Sequence, residues 1–300
     1  MAKPFLKWVG GKTQLLPEIK IKLPENIEEL DTYVEPFLGG GAVLFYMLEN
    51  HKFKHIYVSD INPELTLCYR IIKTNVSEVM ASLEKLQSKF IPLTQEKRKV
   101  MFNTIRKEWN TGVGFIESDK ENVWLINRVA QTVFLNRTCF NGLFRVNQKG
   151  EFNVPIGSYK SPRILDRSNL LLVSKALGKV SINTHSYDKK SNHINGNTFV
   201  YFDPPYRPLD ASSSFTSYVK SGFNDDDQIN LKNYYTKLSK KGAKLMLSNS
   251  DTSDMFFDEL YSDFHITRVL ARRNINSDGS KRGKINEIIV TNYSTNVQSV

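Results

Sequence analysis

The period of apolar positions changes twice along the chain, and the changes divide it. Thr32 to Pro36 (TYVEP) is a short apolar run that predicts a buried strand. It leads into Gly39-Gly40-Gly41 and the apolar stretch AVLFYML, which predicts a helix. A second strand, HIYVSD, ends at Asp60. Strand, glycine turn, helix and acid-ended strand together make one unit of a parallel α/β sheet. From about Asn62 to Leu135 the period becomes helical, in ELTLCYRIIK, SEVMASLEKLQSKF, a segment around EKRKVMFNTIRKEW, and NVWLINRVAQTVFL. A polar loop is expected over 136–163, rich in Asn, Gly, Arg and aromatics and closing on the turn residues Pro155, Gly157 and Pro162. Strand character returns in KVSINTH and NTFVYFDPPY, followed by a helix, a strand, a helix and two strands. The expectation is an α/β domain made of 1–64 and 178–300, interrupted by a helical domain over 65–177.

Composition narrows the class. Apolar residues are 40% and charged residues 24%, which excludes wholesale disorder. Lys and Arg number 41 against 31 Asp and Glu, a formal charge of +10 that favours a polyanionic partner such as nucleic acid. Two cysteines, Cys68 and Cys139, are too few for a disulfide framework or a cysteine zinc site. No metal is expected. The first residues, MAKPFLKWVGGK, lack the apolar core of a signal peptide, and no apolar run reaches membrane-span length. A cytoplasmic location without membrane association is expected.

Two segments carry chemistry. In Glu35-Pro-Phe-Leu-Gly-Gly-Gly41 the glycines allow a tight turn and a close approach of ligand to main chain, and Asp60 lies where it can bind ribose hydroxyls. The unit suits an adenosine-bearing cofactor, although such turns also occur in α/β proteins that bind none. Two phosphate-binding patterns fail: Leu44 replaces the last glycine of G-x-G-x-x-G, and Leu6 replaces the first glycine of a P-loop ending in Gly11-Lys12-Thr13. The second segment is Asp203-Pro204-Pro205-Tyr206, after the apolar strand FVYF. A carboxylate at the end of a buried strand, a stiff proline turn and an aromatic plate suit an aromatic amino group, whose two N–H hydrogens need acceptors while its ring stacks. Taken alone, the same residues also fit a capped turn with a packed tyrosine.

The pairing of EPFLGGG with a downstream DPPY, opened by FLKWVGGK, resembles the Dam-type family of DNA adenine-N6 methyltransferases. The stretch FLNRTCFNGLFRVNQKGEFNVPIGSYKSP is similar to that family's DNA-reading segment, and the likeness runs in order from Phe5 to the terminal strand. The resemblance implies a Rossmann-like S-adenosylmethionine-dependent α/β sheet with an inserted helical DNA-recognition domain. It implies methyl transfer from S-adenosylmethionine to a flipped adenine in double-stranded DNA, within GATC. Trp8, Lys12, Asp60 and Asp203 match its cofactor contacts, beside Gly39 and Gly41. On physical grounds Glu35 can orient the methionine portion, and Trp8 or Phe37 can cover the adenine of the cofactor. Asp203 and the Pro204 carbonyl would accept the target amine's hydrogens while Tyr206, with Tyr187, sandwiches the base. The loop RPLDASSSFTSY would close over it.

For DNA reading, Asn141, Leu143, Arg145 and Pro155 match residues that face bases, Phe140 matches an aromatic wedge, and Lys7 matches a residue near the first guanine. Arg137, Lys149, Lys160 and Arg163 add charge to this loop, interleaved with Phe144 and Phe152, as solvated basic loops also do. A second basic stretch, Arg268, Arg272, Arg273, Lys281, Arg282 and Lys284, reads as a hairpin gripping phosphates. A monomer is expected, either solitary or serving beside a cognate restriction endonuclease. Alternatives are an amino-methyltransferase acting on another site or another amino group such as cytosine N4, a DNA-binding protein without catalysis, and a nucleotide hydrolase using Gly10 to Thr13.

Overall fold

A computed structural model describes residues 1–114, 122–189, 192–207, 223–252, 254–272 and 284–295, with the side chains of 271, 272 and 284–286 set aside. The chain divides into two compact units. One comprises Met1–Gly11, Gly39–Phe45 and Asn62–Thr184; the other comprises Lys12–Leu38, Tyr46–Ile61 and His185–Val300. Among the described residues no helix is long and apolar enough to cross a membrane.

The second unit is built on a sheet. Its strands are β1 (Thr32–Glu35), β2 (His55–Asp60), β4 (Thr198–Phe202), β5 (Lys244–Ser250), β6 (His265–Arg272) and β7 (Lys284–Thr291), in the order β2-β1-β4-β5-β7-β6. β1 pairs in parallel with β2 on one side and β4 on the other, and β4 with β5. β7 runs antiparallel between β5 and β6. This is the open, Rossmann-like arrangement expected from the sequence. β4 is TFVYF, buried at every position, as a central parallel strand requires. The helices α1 (Leu16–Ile21), α8 (Asp225–Lys240) and α9 (Phe256–Leu260) belong to the same unit. α8 starts with a capping box between Asn224 and Asp227, and its first turn carries Asp225, Asp226 and Asp227, which favour the positive end of the helix dipole. Its Leu231, Tyr235 and Leu238 join Val200, Phe202, Leu245, Leu247, Ile288 and Val290 in one core. Because the chain leaves β1 toward β2 on one side while β4 flanks it on the other, the carboxyl ends of β1 and β4 form the switch point where open sheets bind ligands.

The first unit is helical: α3 (Pro63–Thr74), α4 (Val76–Phe90), α5 (Gln95–Thr111), α6 (Asn122–Thr138) and α7 (Arg167–Leu177), ending in β3 (Val180–Thr184). The remaining helix, α2 (Ala42–Asn50), begins in this unit at the glycine turn. Side-chain caps fix three starts: Asn62 accepts from the Glu64 and Leu65 amides, Thr94 from Lys97, and Asp166 from Asn169. The core holds Leu83, Phe90, Phe102, Trp109, Val129 and Phe134. Within it Arg128 pairs with Glu64, donates to the Trp109 carbonyl and lies 3.9 Å over the Trp109 ring. Its charge is thus both paired and hydrogen-bonded, as burial demands. Cys68 and Cys139 are both buried and not joined, and burial pushes the Cys139 thiol up to about 12.

The structure corrects the expected loop. α6 continues through Thr138, so Asn136 and Arg137 lie in its last turn and the loop begins at Cys139. Asn136 looks like a loop residue by type. Here it is wholly buried and turned inward, which makes it a structural staple instead.

Candidate active site and recognition loop

In the sheet unit, β4 delivers Asp203 to the switch point. Lys12, in the short helical turn Lys12–Gln14, donates its ammonium to Asp203 Oδ1 at 2.7 Å. The lysine side chain is 6% exposed and the aspartate 20%. Ser248 Oγ donates to the same oxygen at 3.3 Å and shares a 2.8 Å hydrogen bond with the Tyr201 hydroxyl. Burial raises Asp203 to about 6 against the pull of the Lys12 charge, and the Glu287 carboxylate raises it further. Lys12 also lies 4.4 Å over the Tyr206 ring, whose hydroxyl donates to Glu287 Oε2 at 2.7 Å. Lys12, far from Asp203 and Tyr206 in sequence, thus forms one cluster with them.

The turn that carries them is clamped by side chains from β5 and α8. Gln228 donates to the Pro205 carbonyl at 3.2 Å and accepts from Asn249 at 3.1 Å. Asn249 Oδ1 accepts from the Arg207 amide, and Ser250 Oγ donates to the Arg207 carbonyl at 2.8 Å. The Arg207 guanidinium grips Asp225 and Asp254 and lies 4.3 Å over the Phe256 ring. Sequence reading missed Arg207, Gln228, Ser248, Asn249, Ser250 and Glu287. The signal for three of them was present: Ser248-Asn249-Ser250 is a polar run closing the apolar strand β5, and all three are fully buried. Buried polar groups at a strand end need partners, and here the partners are Asp203 and Arg207 of the proline turn.

Two more carboxylates end neighbouring strands. Glu35 closes β1, is buried, and accepts from the Tyr33 hydroxyl at 2.7 Å. Burial raises its pKa well above the ordinary value, opposed by that hydrogen bond, with Asp203 and Asp60 adding to the rise. Asp60 closes β2 and is half-buried. Phe37 stacks on Tyr187 with centroids 5.3 Å apart and meets Phe223 edge-on. Tyr187, expected to share a base with Tyr206, has one face stacked on Phe37.

The helical unit places the other expected residues. Trp8 stacks on Phe144 at 5.1 Å and packs against the glycine turn, where a Cβ on Gly39 would meet its ring at 3.4 Å. Gly41 has φ +72°, and a Cβ there would fall 2.5 Å from the Tyr69 hydroxyl, which donates to the Gly39 carbonyl at 3.2 Å. The turn is thus glycine for reasons of space as well as conformation. Asn136 binds both ends of a second assembly: it accepts from the Lys7 amide and donates to the Lys7 and Gly142 carbonyls, all at 2.8–2.9 Å. Lys7 then runs across Gly142 to donate to the Tyr159 hydroxyl at 3.2 Å. Phe140 (47% exposed), Asn141, Arg145 and Pro155 are exposed on this loop, and Leu143 is half-buried. Arg145 is oriented by a 2.8 Å bond from its Nε to Asn153 Oδ1, and Asn147 closes the hairpin by accepting from the Lys149 and Glu151 amides. Phe144 and Phe152, interleaved with the basic residues in sequence, are buried with Trp109, since an aromatic cluster removes more apolar area from water than exposure would. Arg137 is directed to the Phe5 carbonyl at 2.7 Å.

Some expected residues lie outside the described ones: Arg273, Lys281, Arg282 and positions 208–218 of the loop after Tyr206. The side chains of Arg272 and Lys284 are outside them as well. Arg268 is described and binds Asp251 and Asp258.

Residues 8–275 match the family model of the D12 class N6 adenine-specific DNA methyltransferases. The chain belongs to this family. The methyltransferase is 49% identical to the Type II methyltransferase M.MjaIII of Methanocaldococcus jannaschii, over 97% of this chain and 99% of that protein. It is 40% identical to the Type II methyltransferase M1.LlaDCHI of Lactococcus lactis, over 97% and 95% of the two chains. It is 32% identical to the DNA adenine methylase of Escherichia coli K12, over 96% and 94%. Its reaction is methylation of adenine N6, and its substrate is DNA.

Proposed function

We propose that the methyltransferase uses S-adenosylmethionine to methylate an adenine turned out of duplex DNA within GATC, as a cytoplasmic monomer paired with a cognate restriction endonuclease. The observation that carries the chemistry is the Asp203–Lys12–Tyr206 cluster at the end of β4. The donor set suits a cationic, ribose-bearing ligand: Glu35, Asp60 and Asp203 close three adjacent strands with one lysine among them. Lys12, Glu35, Phe37, Asp60 and Asp203 of the sheet unit would hold it. When bound, it supplies an electrophilic methyl group on a sulfonium.

The target amine is a weak nucleophile because its lone pair is delocalised into the purine. Asp203 and the Pro204 carbonyl accept its two hydrogens and draw the nitrogen toward tetrahedral geometry. Lys12 and Ser248 both hold Asp203 Oδ1, so the carboxylate is oriented before the base arrives. On taking up the methyl group that the bound cofactor would supply, the amine nitrogen must give up one proton. Asp203, raised by burial to about 6, is a better acceptor for it than an ordinary aspartate. Because the amine is inside the duplex, the base must leave the stack, and Tyr206 offers the plate that receives it. Lys7, Phe140, Asn141, Leu143, Arg145 and Pro155 read the site, with Arg145 suited to guanine and Asn141 to adenine. Arg272, Arg273, Lys281 and Arg282 add charge toward phosphates, whereas Arg137 is turned to the Phe5 carbonyl. Pairing with a restriction enzyme is supported by the identity shared with two Type II methyltransferases, 49% and 40%.

The test is expression in a host without adenine methylation, followed by long-read sequencing of its DNA. Wild type is expected to mark adenine in GATC and Asp203→Ala to mark nothing. Marks in another context overturn the GATC assignment, and marks left by Asp203→Ala overturn the role of the corner.

A further inference from the structure

The geometry points to Glu287 as a positioning residue for methyl transfer: its carboxylate anchors the Tyr206 hydroxyl and so sets the plane on which the target purine stacks. The inference rests on the reading of Tyr206 given above. A tyrosine at the end of a proline turn has a ring that the backbone leaves free to rotate. Two contacts fix this one. Lys12 Nζ takes one face at 4.4 Å, and Glu287 Oε2 takes the hydroxyl at 2.7 Å. A stacked base then has the opposite face, in an orientation already chosen before it binds.

The fold explains why an early residue of β7 can do this. β7 is antiparallel to β5, and Glu287 pairs with Ser250, the last residue of β5. The first half of β7 therefore lies at the carboxyl ends of the parallel strands, where Asp203 and Tyr206 stand. From Ile288 to Thr291 every residue of β7 is buried, whereas Glu287 is half-buried and turned to the turn residues. A cross-strand charge kept only for solubility would have no reason to hold a tyrosine hydroxyl in the motif.

Four variants test it by single-turnover methylation of a duplex bearing the site found by sequencing: Glu287→Ala, Glu287→Gln, Tyr206→Phe, and the Glu287→Ala/Tyr206→Phe pair. Glu287→Ala and Tyr206→Phe are each expected to slow transfer about tenfold, with KM for the donor unchanged. Glu287→Gln keeps an acceptor and should stay within about threefold of wild type. The pair should be no slower than either single change, because both remove the same bond. A wild-type rate in Glu287→Ala, or losses that multiply in the pair, overturns the inference. If Glu287→Ala does not fold, Tyr206→Phe decides, since an undiminished rate there removes the hydroxyl anchor on which the inference stands. Asp203→Ala separates the two levels: if it is active the reading of the corner fails, and if it is inactive while Glu287→Ala is normal only the positioning role fails.

Discussion

In the proposed reaction Asp203 has to be buried enough to meet a base and charged enough to accept its hydrogens. Burial alone would protonate it at neutral pH more often than an ordinary aspartate. Lys12 opposes that, and the balance is a pKa of about 6, with Glu35, Tyr201, Tyr206 and Glu287 also facing the group. The ionised form is the working form, so activity should fall as pH drops through about 6. Replacing Lys12 by Met removes a positive charge that favours ionisation. Its acid limb should therefore move to higher pH, read from kcat against pH at saturating donor and DNA. A limb that stays in place would mean that Lys12 does not set the charge state of Asp203. The aspartate itself was legible in the sequence as an acid closing an apolar strand, and the family motif separated it from a capped turn of the same composition. Lys12 was legible only through the family resemblance, as a cofactor contact, and its pairing with Asp203 was not: the GGKT segment looks like the tail of a failed phosphate loop, and nothing local says that its lysine folds back under Asp203.

At the scale of elements, hydrophobic period located the helices and strands, and misjudged the recognition loop at its edges. Asn136 and Arg137 are polar, yet they continue α6, because their side chains are satisfied inward by Lys7, Gly142 and Phe5. Phe144 and Phe152 alternate with basic residues, yet they anchor the loop to Trp8 and Trp109. Period cannot separate an exposed aromatic from a buried one; burial can, and it leaves Phe140 outside while Phe144 and Phe152 are inside. The weak point of this element is Gly142. Its φ is +66°, and a Cβ would lie 2.1 Å from Lys7 Cδ and 2.9 Å from Lys7 Cβ. Gly142→Ala must displace Lys7 and the turn bearing Phe140 and Asn141. The expected result is about tenfold weaker binding to the methylated site, with little change on unrelated duplex and an unaltered donor KM. Equal losses on both duplexes would mean that the turn contributes charge rather than reading.

Over the whole molecule, the order of segments was the most legible feature, since a glycine turn after one strand and an acid-led proline turn after another already imply a parallel sheet with its ligands at one end. The clamp on that turn was not, since Gln228 and Ser248–Ser250 come from α8 and β5 and meet it only in the folded chain. Net charge is the other property of the whole, and geometry sorts its sources. Arg268 reads with Arg272, Arg273, Lys281 and Arg282 as one basic stretch, but it is held by Asp251 and Asp258 and has its charge answered within the protein. Each lysine or arginine that neutralises a phosphate should contribute about 0.9 to the slope of log affinity against log salt. Changing Arg273 and Lys281 together to Gln should then lower that slope by about 1.8, while Arg268→Gln leaves it where it was. The measurement is fluorescence anisotropy of a labelled duplex between about 50 and 200 mM salt, with kcat at saturating DNA as the control. An unchanged slope in the double variant would remove this stretch from the phosphate contacts. A slope that falls with Arg268→Gln would show instead that DNA draws Arg268 away from its two aspartates.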